Sequence, residues 1–95
     1  MSTGDALAAV GEVLWLVRQA RLSGQVADEF ALAALIDVEV ELEQVDGVEE
    51  ALPLVVAMPA ADAISRALVL VRGSAGIRPG VEGWLVEALR LVVQS

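Results

Sequence analysis

Apolar residues recur along most of this chain at the three- and four-residue spacing of a helix face. In the first segment Leu7, Val10, Leu14 and Val17 form such a stripe, with Ala6 and Val13 beside it. The helix they predict runs from about Gly4 to Leu22. Ser2 or Thr3 can cap its start, and Asp5 suits the positive end of the helix dipole. Gly24 can take the left-handed position just past its end. Trp15 and Leu16 fall off the stripe. They are expected to pack on a second helix of the same chain or on an oligomer face.

The second segment is ambiguous. A helix beginning near Gln25, with Asp28 and Glu29 in its first turn, is continued by Val26, Phe30, Ala33 and Ala34. From Ile36 to Glu43 the pattern then alternates strictly, apolar at 36, 38, 40 and 42 and acidic at 37, 39, 41 and 43. That is the period of a half-buried strand, and the β-branched Ile36, Val38 and Val40 agree. Ala31, Leu35, Val38, Leu42 and Val45 nevertheless form a helical stripe through the same residues. On that reading Ile36 and Val40 make a second apolar patch, and Glu39 and Glu43 become a like-charge i, i+4 pair. A strand would need Leu52–Met58 as its partner, and Pro53 confines that run to an edge. A helix needs no partner strand and is the preferred reading.

Asp46-Gly47 reads as a turn, and Asp46 with Glu49 fits a capping box for a short helix over about 48–58. Pro59 suits the first position of the next helix, which runs to about Arg72 with Ala60, Ile64, Ala67, Leu68 and Val71 as its core stripe. Asp62 and Arg66 are spaced for an ion pair on its other side. Ser74–Gly80 reads as a loop. The last helix, about Val81 to Gln94, carries Leu85, Ala88, Leu89 and Val92, and is apolar on further faces through Trp84, Val86, Leu91 and Val93.

These elements predict a single domain over residues 1–95, an all-α compact bundle of four to five helices. The alternative is an α+β fold with a β-hairpin at about 36–58 flanked by helical pairs. Apolar residues make up 57% of the chain, above the ~45–50% of ordinary domains. A domain this short buries roughly 60–70% of its unfolded surface. The excess therefore points to a homo-oligomer, a protein partner or a ligand. No stretch reads as a membrane span: the best candidate, Ala51 to Val71, contains two prolines, Asp62 and Arg66. The N-terminus lacks the pattern of a signal peptide. The absence of cysteine favours a cytoplasmic home, and arginine to the exclusion of lysine fits a high-GC, bacterial origin.

Charge is laid out unevenly. Ten acids and no base lie between Leu22 and Ser65, whereas four arginines and two acids follow from Arg66 onwards, within a net charge of −8. Nucleic acid and anionic membrane are therefore unfavourable partners. Attraction between the acidic middle and the arginines is expected, within one chain or between chains.

Candidate chemistry is sparse. Asp37, Glu39 and Glu41 match the first positions of a calcium loop, but Leu42 stands where glycine is needed and Val48 where a bidentate glutamate is needed. Histidine and cysteine are both absent, so no serine can be activated by a histidine and a di-metal carboxylate site lacks its usual partners. Gly73-Ser74-Ala75-Gly76 lacks the signature of a phosphate loop. No metal, cofactor or catalytic residue is expected. The sequence points to a non-enzymatic protein–protein interaction or self-assembly domain, an adaptor rather than an enzyme. Its acidic residues Glu39, Glu41, Glu43, Glu49 and Glu50 would dock on arginines such as Arg66, Arg72, Arg78 and Arg90 of another copy or a partner. Trp15 and Trp84 are candidate interface anchors. The alternative is a small carrier of an apolar ligand in a bundle cavity.

Overall fold

A computed structural model describes residues 3–45, 58–74 and 77–94. It contains α1 (Thr3–Leu22), α2 (Glu29–Glu43), α3 (Ala60–Arg72) and α4 (Pro79–Gln94), and no strand among the described residues. Each helix packs on two others: α1 on α2 and α3, and α4 on α2 and α3. The radius of gyration is 12.3 Å, close to the ~12 Å of a compact chain of this length.

The residues that meet across the helices fix their directions. Gln25, just past α1, accepts a hydrogen bond from the backbone N–H of Ala60 at the start of α3 (2.7 Å). Further back along α1, Glu12 faces Arg66 of α3. The two helices are therefore antiparallel. Short connections make α1–α2 and α3–α4 antiparallel hairpins. The result is an up-down-down-up bundle in which the end of α2 and the start of α3 lie at opposite ends.

The ambiguous segment is a helix. A strand would have placed Ile36, Val38, Val40 and Leu42 on one face. Instead Val38 and Leu42 are buried, at 0% and 2% exposure, while Ile36 and Val40 are about half exposed, at 47% and 49%. Ala31, Leu35, Val38 and Leu42 make the buried stripe. The hairpin alternative fails over 36–43 for this reason. The short helix expected over 48–58 falls largely outside the described residues.

α2 starts later than the 25–28 composition suggests. Asp28 is its N-cap, in an extended conformation, and its side chain accepts from the N–H groups of Phe30 and Ala31 (2.8 and 3.1 Å). Residues 25–28 are non-helical, with Val26 buried beneath them. Pro59 is likewise the cap of α3 rather than its first residue, and α4 begins at Pro79, two residues before the expected Val81. Gly24 takes a positive φ of 77° after α1, as expected. Asp28→Ala is expected to destabilise the fold by about 1 kcal/mol, since it leaves two helix-start N–H groups without their acceptor. Urea denaturation checks this, and an unchanged midpoint would show that water serves the same groups equally well.

Leu16, Leu35, Leu42, Ile64 and Leu85 fill the core, each no more than 2% exposed. Between them, Ala31, Ala63, Ala67 and Ala88 are fully buried. Such small side chains let helix backbones approach closely, which accounts for part of the alanine excess. Leu16 is buried and Trp15 packs against the core, so the residues off the α1 stripe meet helices of the same chain.

Candidate interaction surface

α1 and α2 are joined by a charged cluster as well as by apolar contact. Glu39 is the one buried charged residue among those described, 5% exposed. Its Oε2 accepts from Arg21 Nε (2.5 Å), and its Oε1 accepts from Arg21 Nη2 (3.1 Å) and Arg18 Nε (3.1 Å). Arg21 thus holds the carboxylate with a two-pronged fork, the strongest geometry open to such a pair. Arg18 donates its Nη2 to Glu43. The like-charge pair on α2 is therefore seated around one guanidinium, which removes the repulsion between its members. The hydrogen bond from Arg21 to Glu39 holds Arg21 above the ordinary arginine value, and the charges of Glu39 and Glu43 add to it against the opposing effect of burial. Because that pKa is raised, the charge of Arg21 is retained at every pH below its ordinary value and is lost only at still higher pH.

The remaining arginines are also engaged. Arg78 Nη1 lies 2.9 Å from Glu41 and ties the start of α4 to the end of α2. Arg72 Nε donates to Glu82 (2.9 Å) across the α3–α4 hairpin. Arg66 lies 3.6 Å from Glu12 of α1 rather than in the expected pair with Asp62. Arg90 pairs with Glu87 on its own helix, which raises its pKa, the hydrogen bond first and the charge second. All six arginines of the chain thus have a carboxylate partner within the chain. Exposed pairs of this kind contribute little to stability, but they decide which charges remain unpartnered.

Of the residues proposed from sequence, Glu39 is buried at the α1–α2 contact, Glu43 sits at its rim and Glu41 is half-buried against Arg78. Glu49 and Glu50 lie outside the described residues. Arg66, Arg72, Arg78 and Arg90 are dispersed over α3, the 73–78 connection and α4, each on a different carboxylate. Trp15 and Trp84 are partly buried against the core.

Val69 of α3 and Val86 and Val93 of α4 are exposed apolar residues, and a further group lies on the outer face of α2. Phe30 is 77% exposed there, with Ile36 and Val40. Ala33 completes an apolar ridge at 33, 36 and 40. Glu29 and Asp37 lie on the same face, exposed, and make no ion pair among the described residues. The helical pattern puts Ile36 and Val40 in an apolar patch, whereas Phe30 carries no such signal in the sequence. Arg18 and Arg21 suit the negative end of the α1 dipole, which by itself gives them no partner on α2. Their three-residue spacing opposite the four-residue spacing of Glu39 and Glu43 was the available signal.

At the end of the bundle where α2 finishes and α4 begins, two open clefts of about 180 and 340 Å³ are lined in part by Glu41, Arg78 and Val81. Ligand pockets usually occupy ~300–1,000 Å³. No cluster of three or more potential metal ligands occurs among the described residues, and no helix among them is long and apolar enough to cross a membrane. Comparison with family models, curated proteins and solved structures returns no match. The class to which the chain belongs is therefore defined by its architecture alone, an all-helical bundle whose four described helices run up-down-down-up with a charged seam between α1 and α2.

Proposed function

We propose that this chain is a non-enzymatic protein–protein interaction domain of the cytoplasm that docks through the outer face of α2. The observation that carries the reading is the exposure of Phe30, Ile36 and Val40 on one helix face, beside the unpaired carboxylates of Glu29 and Asp37. Fully burying an exposed apolar side chain contributes about 1.5–3 kcal/mol; Phe30 has most of that to gain, and the half-exposed Ile36 and Val40 about half each. The flanking carboxylates steer encounter and set register. The chain has neither histidine nor cysteine, which agrees with a binding role.

The absence of cysteine makes single-site labelling clean. A photo-cross-linking residue at position 36 is expected to trap one discrete protein adduct in the native host. The same residue at position 65, on the exposed face of α3, should trap none. Equal patterns at the two positions, or no adduct at either, would remove the reading.

A further inference from the structure

We infer that the outer face of α2 receives a basic amphipathic helix from a different protein, rather than a second copy of this chain. This rests on the reading of that face as an interface and adds the chemistry of its occupant. The first argument is charge. Glu29 sits at one end of the ridge and Asp37 beside its middle, both without an ion pair among the described residues, whereas Glu43 at the far end is held by Arg18, so the unbalanced charge on the face is negative. Two such faces brought together would oppose carboxylate to carboxylate. Another face of a second copy offers no free cation in return. The chain has no lysine, and all six of its arginines already hold carboxylates of their own chain. A second copy could balance Glu29 and Asp37 only by giving up pairs its arginines already hold, whereas a partner with arginine or lysine to spare gives up none. The same negative face repels nucleic acid and anionic lipid.

The second argument is shape. Ala33, Ile36 and Val40 follow the i, i+3, i+7 row of a helix surface, which meshes with the equivalent row of another helix. α2 has no strand edge to extend, so a β-partner finds no backbone groups to pair with. Glu29 and Asp37 are two turns apart, about 12 Å along the axis. The matching partner carries Arg or Lys two turns apart beside an apolar stripe.

The test uses the full chain and an acetylated, amidated peptide of ~20 residues, long enough to form a helix, with leucines at i, i+3 and i+7 and flanking arginines two turns apart. A scrambled peptide of the same composition and a version with arginine replaced by glutamate serve as controls. Fluorescence anisotropy is expected to show binding of the basic amphipathic peptide alone. Phe30→Ser with Ile36→Ser, at exposed positions where folding is retained and checked by circular dichroism, is expected to weaken it roughly tenfold or more. Glu29→Gln with Asp37→Asn is expected to flatten its salt dependence. Equal binding of either control, or insensitivity to the Ser substitutions, overturns the inference. So does a dimer by light scattering that Ile36→Ser abolishes, because a second copy would then occupy the face. If the peptide fails while the position 36 cross-link still joins a single protein, the basic partner falls and the interface stands. If both fail, both fall.

Discussion

Glu39→Ala is expected to destabilise the bundle by about 2–3 kcal/mol. The substitution leaves Arg18 and Arg21, side by side on α1, without the carboxylate that bridges them, and only Arg18 keeps a second partner, Glu43. Removing one member of a fully buried pair typically costs ~3–5 kcal/mol. Here the arginine side chains keep 27% and 31% of their surface exposed, so water recovers part of that loss. Urea denaturation of the single variant reads the effect. The companion variant Glu39→Leu with Arg21→Met separates the pair's net worth from the penalty of orphaning a charge. Since well-packed apolar replacements of buried pairs are often neutral or stabilising, the double variant is expected to lie near wild type. A double variant as unstable as Glu39→Ala would show that the network itself contributes strongly.

Leu35→Ala is expected to have the larger effect, about 3–4 kcal/mol, from lost burial and the cavity left behind. Leu35 is fully buried on the stripe by which α2 meets the core. A chain of this length has a total stability of roughly 5–14 kcal/mol, so this one truncation removes a large share of it. The melting temperature should fall by more than ~10 °C. Ile36→Ala, one residue further on but on the exposed face, is expected to leave the melting temperature nearly unchanged. The contrast between adjacent positions tests the helical register of α2 directly. Equal losses at the two would be the signature of a different register.

The bundle was legible where a single stripe dominates. In α3 the residues Ala60, Ile64, Ala67, Leu68 and Val71 share one face and all five are buried, with Val69 the exposed apolar exception. α2 was less legible because Ile36 and Val40 are apolar without being core. Their presence between acids imitates the period of a strand, and only the burial of Leu35 alongside Val38 and Leu42 resolves it. The start of α2 was blurred by the adjacent Asp28 and Glu29, since local sequence does not say which of two carboxylates folds back onto the N–H groups.

The charged seam was the least legible part. The sequence separates Arg21 from Glu39 by 18 residues and Arg18 from Glu43 by 25. Nothing local links them until two helices dock antiparallel. The expected Asp62–Arg66 pair failed for the converse reason. An intrahelical pair contributes only a few tenths of a kcal/mol, so Glu12 on the neighbouring helix competes for Arg66 easily.

The opposite placement of the end of α2 and the start of α3 has a consequence for assembly. The described helices form two hairpins, α1–α2 and α3–α4, and belonging to one chain keeps each at high effective concentration near the other. Every contact of α1 with α3, and of α2 with α4, can form equally well between hairpins of different chains. Raising the protein concentration therefore favours a swapped dimer built from the contacts of the described helices. Such a dimer would leave the outer face of α2 open in both halves, so each half could still carry its own partner.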